Sequence, residues 1–394
     1  MPKHRRTPKK TLGKKALDAP FEGDVRDLAS DGRGIVSHPD GRIFFVAGCW
    51  VGERVLVKPT GRKGNVGFGI VESVLNPGAE RREPGCSKHG FDHDKCGGCP
   101  WMFVSYEAQC QQKRRRVASQ VQRLGVGTEV VREIIPAPEP LGYRNRAQFK
   151  TDGTTLGYVA SNSNNLVEVV NCPVLNPHNQ AVLEALRQQL PNKLWRADRR
   201  HGVYWHTLDI DDTSAVASLD ARLPFRQGNS AQNAVMRQWL SDAVVGLDPS
   251  LPVLELFAGG GNFTEILAQH FGSVVAAEGD EQCVAALTEL SNPAITPVRA
   301  DLFNLGDVES LVRSCSHTKV LILDPPRDGW GMRGPFIKSM KKLQTIIYIS
   351  CDPATWARDC ADLLAADFSL QEVVPIDLFP QTPHVEIMSI LQRS

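Results

Sequence analysis

The chain has no apolar run approaching the roughly 18 residues of a membrane-spanning helix, and no signal-type apolar core follows its basic start. The expectation is therefore a cytoplasmic protein with no membrane attachment. A net charge of consequence is also missing: 45 Lys and Arg against 44 Asp and Glu leave +1 at pH 7. Long-range attraction to a polyanion is thus not a property of the whole chain. The asymmetry that exists is local. The first fifteen residues carry Lys3, Arg5, Arg6, Lys9, Lys10, Lys14 and Lys15 and no acid, an arm that can neutralise phosphates or simply stay solvated. Ten cysteines without a secretory signal point to metal ligation or catalysis before disulfides.

What is present is enough for more than one domain. A length of 394 residues suggests two or three, and 42% hydrophobic content supplies real cores. Residues 23–28, 34–38, 43–46, 54–58 and 67–74 read as short strands, punctuated at Asp31-Gly32, Asp40-Gly41 and Lys63-Gly64. Five such strands predict a small barrel of the oligonucleotide-binding type. A cysteine loop over 81–104 and a helix over 106–124 with a basic cluster at 113–116 follow. The middle is mixed, with strands near 146–150, 155–159, 167–170 and 203–209 and a helix over 176–189. After Leu251 strands and helices alternate, which predicts a doubly wound, mostly parallel sheet with its ligand beyond the carboxyl ends of the strands. The expected architecture is multidomain: an arm over 1–19, a barrel over 20–80, a central α+β region with a cysteine cluster over 81–223, and a C-terminal α/β Rossmann-like domain over 224–394.

The first strand of that sheet runs into Phe257-Ala258-Gly259-Gly260-Gly261-Asn262-Phe263. Glycines let backbone approach a ligand closely. A dinucleotide site would want a third glycine at position 264, where Thr264 stands. Glu278 ends the second strand, placed for a ribose, and Asp301 follows the third, in reach of an adenine edge. That order suits S-adenosylmethionine, which has no pyrophosphate to cradle. The fourth strand ends in Asp324-Pro325-Pro326-Arg327, a rigid turn that fixes Asp324 at the pocket mouth. The fifth ends in Ser350-Cys351-Asp352-Pro353. Cys351 there is a candidate nucleophile: a thiolate adding to carbon 6 of uracil makes carbon 5 nucleophilic enough to accept a methyl group. The carbon-5 proton must then leave to a base, for which Glu386 and His384 in Pro383-His384-Val385-Glu386 compete.

Taken together these motifs resemble the uridine-5 RNA methyltransferases that modify bacterial large-subunit ribosomal RNA, with relatives acting on transfer RNA. The resemblance runs from about residue 20 to the end. It implies that the barrel is a TRAM domain, that Cys351 is the nucleophile and that Glu386 is the base. It carries a cofactor role to Phe257, Asn262, Glu278, Asp301 and Asp324, with Asp324 equally suited to the uracil imide. An F-x-Q-x-N motif, here Phe225-Arg226-Gln227-Gly228-Asn229, makes Gln227 a cofactor or substrate contact. The ribosomal branch holds a 4Fe-4S cluster, matched in order by Cys86, Cys96, Cys99 and Cys172; four thiolates would also suit zinc. One departure is a nine-residue separation of Cys86 from Cys96, longer than the family spacing and containing His89 and His93. The implied partner is 23S ribosomal RNA, handled by a monomer, with Tyr143-Arg144-Asn145-Arg146 and Arg199-Arg200-His201 as candidate RNA contacts. Arg327 stands where cytosine-5 enzymes have a cysteine and adenine-amino enzymes an aromatic, which disfavours both. A transfer-RNA enzyme and a non-catalytic iron–sulfur RNA-binding protein remain as alternatives.

Overall fold

The computed structural model describes residues 18–393 except 162, 199–201, 215, 216, 222 and 224; the basic arm and Arg199-Arg200-His201 lie outside the described residues. The chain divides into two compact units, the first ending at Arg81 and the second beginning at Arg82.

The first unit is a closed barrel of β1 (Phe21–Leu28), β2 (Gly34–Ser37), β3 (Ile43–Ala47), β4 (Arg54–Lys63) and β5 (Val66–Asn76), ordered β1-β2-β3-β5-β4. β3 and β5 pair in parallel and every other neighbour is antiparallel. Alternation drives it: Phe21, Val25, Val36, Phe44, Val46, Val55 and Val57 point inward and form one apolar core. Gly67 is required where it is, because a Cβ there would lie 2.4 Å from the Phe44 ring. The fully buried Glu53 carboxylate closes the unit by pairing with Arg81 at 2.6 Å and accepting from Trp50 N and Gly78 N.

The second unit opens with α1 (Tyr106–Arg123), capped by Ser105. A five-stranded antiparallel sheet follows, built from β6 (Arg146–Thr151), β7 (Leu156–Val159), β8 (Leu166–Glu168), β9 (His206–Asp211) and β10 (Ser218–Leu219), with α2 (Pro177–Gln188) against it. Phe149, Leu156, Leu183, Leu208 and Ile210 are its core. After α3 (Ser230–Val245) comes the alternating region: β11 (Val253–Leu256), α4 (Thr264–His270), β12 (Val274–Glu278), α5 (Glu281–Glu289), β13 (Ile295–Arg299), α6 (Leu305–Ser314), β14 (Val320–Leu323), α7 (Arg333–Ser339), β15 (Thr345–Ser350), α8 (Pro353–Leu364), β16 (Phe368–Ile376) and β17 (Glu386–Arg393). The seven strands lie in the order β13-β12-β11-β14-β15-β17-β16, with β16 and β17 antiparallel to their neighbours. β11, β14 and β15 are buried at every position, as continuous apolar runs inside a covered parallel sheet must be. Two apolar clusters serve the sheet, one around Trp330, Trp356 and Leu321 and one around Met236, Phe271 and Ile347.

Helix boundaries differ from the sequence expectation where a cap intervenes. A sequence reading by apolar period alone starts a helix at Val308, but it begins at Leu305, because the Asn304 side chain accepts from Gly306 N and Asp307 N. The one expected from 262 starts at Thr264, because residues up to Phe263 are spent on the loop.

Candidate active site

β13, β12, β11 and β14 are adjacent in the sheet, so Asp301, Glu278, Phe257 and Asp324 line up along one carboxyl edge. The loop after β11 is tightly wound. Phe257 takes a φ of 63°, left-handed for a non-glycine, and Gly261 takes 97°. A Cβ on Gly261 would approach Leu290 to 2.8 Å. Glu278 braces this loop: Oε2 accepts from Gly259 N at 3.0 Å, while Oε1 accepts from Gly279 N and Asp280 N. Asp301 accepts from Phe303 N, and the Phe257 ring lies 5.8 Å from Phe303 and edge-on to Trp330. Asn262 is engaged otherwise than expected. Its amide makes two 2.9 Å bonds with Asn233 of α3, so it ties the loop to that helix. Gln227 and Gly260 are walls of one cavity of about 870 Å³, with Arg144, Arg146, Phe225 and Cys283.

The reaction edge lies one strand further. Cys351 follows β15 directly and precedes Asp352, the N-cap of α8, whose side chain accepts from Thr355 N at 2.8 Å. A thiol at a helix N-terminus gains from the dipole when ionised. Ser350 pairs with Ile387 across β15 and β17. Cys351 follows Ser350 and Glu386 precedes Ile387, so both lie just beyond that last pair, and the Glu386 carboxyl is near enough to repel a Cys351 thiolate. Burial pushes the Cys351 thiol up to about 12, with Glu386 and Asp324 adding repulsion and Arg327 opposing it. Burial also raises Glu386 well above the usual carboxylate range, helped by Asp324, and lifts Asp324 to about 7. Among these acids Arg327 is the cation that favours the ionised forms of Cys351 and Glu386. In the sequence alone, Arg327 only disfavours cytosine-5 and adenine-amino chemistry.

Residues 377–385, which lead into Glu386, are pinned from several sides. Lys113 of α1 forms a fully buried ion pair with Asp377 at 2.6 Å and donates to Phe379 O at 3.1 Å. Gln109 Nε2 donates to Gln381 Oε1 at 3.0 Å, and Gln109 Oε1 accepts from Gln381 N at 2.9 Å. Arg116 donates to Pro383 O, Tyr143 Oη to Pro380 O and Trp101 N to Gln381 O. The basic cluster expected at 113–116 is therefore no single charged face: Lys113 and Arg116 both turn to this loop. Burial, then Arg327 and Lys113, hold the His384 imidazole down at about 4. A neutral imidazole of that weak basicity makes a poor base near pH 7.

The expected RNA contacts divide. Tyr143 and Asn145 are buried, the latter donating to Gln227 O and Ser230 Oγ. Arg144 and Arg146 border the 870 Å³ cavity, with Arg146 paired to Asp209 at 2.5 Å. Cys86, Cys96, Cys99 and Cys172 line one small cavity with Met102, Tyr158 and Pro173, and none is in a disulfide. Among the described residues no group of three or more His, Cys, Asp or Glu side chains is set to hold a metal ion.

Residues 200–394 match the family model described as tRNA (Uracil-5-)-methyltransferase. An uncharacterized RNA methyltransferase of Nitrosomonas europaea is 37% identical over 382 residues, covering 95% of this chain and 97% of that protein. A 23S rRNA (uracil(1939)-C(5))-methyltransferase of Halomonas elongata is 30% identical, covering 94% of this chain and 89% of its own. In fold, the chain is similar to a Pyrococcus abyssi tRNA (uracil-54, C5)-methyltransferase solved with S-adenosyl-L-homocysteine. That match has a TM-score of 0.70 and 20% identity, over 94% of this chain and 100% of the other.

Proposed function

The chain belongs to the RNA (uracil-5-)-methyltransferase family, and we propose that it methylates carbon 5 of one uridine in 23S ribosomal RNA, with S-adenosylmethionine as donor. The observation that supports the reading is that Cys351 and Glu386 lie just beyond the last β15–β17 pair, near enough to interact, on the sheet whose cofactor-side loop is braced by Glu278. Relatives of near-full-length coverage that act on 23S ribosomal RNA favour that substrate.

Cys351 Sγ, once deprotonated, adds to carbon 6 of the uracil, and the displaced electron pair is delivered toward carbon 5. Arg327 and the α8 N-terminus stabilise the thiolate against the surrounding acids. Carbon 5 takes the methyl group of the bound sulfonium, leaving S-adenosylhomocysteine. Glu386 then removes the carbon-5 proton, the electrons restore the ring double bond, and Sγ leaves as thiolate. Phe257, Glu278, Asp301 and Gln227 hold the donor, Asn262 acts through the loop it anchors, and Asp324 serves either the donor or the uracil imide. The target base is unstacked to reach the site, at a cost of a few kcal/mol.

Four free thiols around one cavity suit a 4Fe-4S cluster held by Cys86, Cys96, Cys99 and Cys172. Four thiolates would also suit zinc. A cluster would supply structural cohesion there, because methyl transfer moves no electrons. The reading includes the division of the chain at 80/81 and 223/224, a monomeric state and a cytoplasmic location; no helix among the described residues is long and apolar enough to cross a membrane.

Purified protein is incubated with methyl-labelled donor and unmodified 23S ribosomal RNA or transfer RNA, with Cys351→Ala as control. Label is expected in 5-methyluridine from ribosomal RNA, reduced about 10⁴-fold or more by the substitution. Label in transfer RNA would overturn the substrate, and label in cytidine or adenosine the reaction. RNA binding without label in either would favour the non-catalytic alternative.

A further inference from the structure

The long loop between Cys86 and Cys96 has no part in the chemistry above, yet it is built into the fold. At its base His89 N donates to Cys86 O and Cys96 N to Lys88 O; further along, Asn165 Nδ2 donates to His93 O at 3.1 Å. The last contact clips the loop to the turn joining β7 and β8 and leaves a cavity of about 610 Å³ between them, within the usual range for small-molecule sites, about 300–1,000 Å³.

Its walls are of two kinds. Tyr204 and Trp205 supply adjacent aromatic surfaces with ring centroids 6.1 Å apart, Tyr204 being 50% exposed. The polar walls carry the carboxylates of Asp94, Asp152 and Glu168 and the amides of Asn164 and Asn165, against the ammonium of Lys88 and the imidazole of His93. Aromatic faces stack bases. A surplus of carboxylate repels phosphate, so a nucleotide would enter base first with its backbone outside. Carboxylates also select the base by demanding N–H donors. Guanine offers two side by side, N1–H and N2–H, where uracil and adenine each present one donor position on that edge.

We infer that the cavity between the 87–95 loop and the β7–β8 hairpin is a second RNA subsite that takes an unpaired guanine, stacked on Tyr204 and Trp205 with its donor edge on Asp94. The inference rests on the reading that the substrate is RNA. It gives the long loop a purpose: the loop contributes Asp94 to the acidic wall. Asp152 and Glu168 are partly committed, to Thr154 and Arg187, whereas Asp94 is exposed on the loop itself.

The test uses the full chain and 23S ribosomal RNA transcripts sparsely substituted with 6-thioguanosine or 4-thiouridine, irradiated, digested and mapped by mass spectrometry. Cross-links from 6-thioguanosine to the peptide bearing Tyr204 and Trp205 are expected. Trp205→Ala should remove them and raise KM for RNA about ten-fold with kcat unchanged. Asp94→Asn, an exposed change that leaves folding intact, should raise KM several-fold and weaken the preference for 6-thioguanosine. Cross-links at this peptide from 4-thiouridine alone would overturn the guanine assignment. Cross-links absent there, or both variants with wild-type KM, would overturn the subsite. Wild-type protein that cross-links at Trp205 but makes no 5-methyluridine would overturn the proposed reaction and keep the subsite.

Discussion

Two sets of thiols in this chain are buried to a similar degree and have opposite needs. Cys351 stands alone at the end of a strand, facing Glu386, Asp324 and Asp352, with Arg327 as counterweight. Cys86, Cys96, Cys99 and Cys172 face one another around a cavity, and burial with mutual repulsion pushes Cys99 up to about 12. In the proposed mechanism the Cys351 thiol rests protonated among these acids and ionises when bound substrate changes its surroundings. Four clustered thiols have no such transient remedy and ionise together only around a cation. Burial alone does not distinguish a nucleophile from a ligand; the neighbours do.

The largest way to break that contrast is Glu386→Gln, which keeps the volume and removes the base. Turnover is expected to fall about 10²- to 10⁴-fold. A single methyl should still be transferred, leaving a protein–RNA adduct that survives a denaturing gel. Free turnover without an adduct would show that Glu386 is not the base that resolves Cys351. The second substitution acts on the other thiols. Cys99→Ser in anaerobically purified protein should lose iron and acid-labile sulfide and lower Tm by about 5 °C or more. Cys351→Ala should change neither, and iron lost equally from both would erase the distinction. The smallest effect concerns Glu255, buried behind the cofactor loop and donated to by Thr264 Oγ1 at 2.6 Å. Burial lifts its carboxyl to about 8. An acid raised in the folded state costs stability as pH climbs from its unfolded value, near 4.5, through the folded one. Glu255→Gln should therefore leave Tm unchanged near pH 4 and raise it by a few degrees near pH 9. A gain of equal size at both would mean that ionisation is not its source.

Much of this site could be read along the chain because its parts sit at strand ends, and strand ends are local signals. Phe257, Glu278, Asp301, Asp324 and Cys351 each follow an apolar run with the right period. The tie of Asn262 to α3 could not be read from the motif, because its partner, Asn233, lies on a helix outside it. The supports of the final hairpin were invisible for the same reason. Gln109 and Gln381, or Lys113 and Asp377, are more than 260 residues apart, and each alone looks like ordinary surface polarity. A buried lysine in particular announces itself only through its partner, since unpaired it would not remain buried and charged. The barrel was legible from alternation, but the parallel pairing of β3 with β5 was not, because alternation says nothing about which strands become neighbours.

The pairing of β15 with β17 makes the hairpin a ruler. Its marks are the facing residue pairs, one residue per division, and Cys351 and Glu386 are the residues next beyond the last mark, Ser350 with Ile387. Lengthening the loop at 377–385 would only slacken the approach to the ruler. Deleting one residue inside β17 would shift the scale and turn each later side chain to the opposite face of the sheet. The spacing between the proposed nucleophile and base is thus a whole number, set by counting rather than by adjustment, and it changes only in steps too large for the proposed reaction to survive.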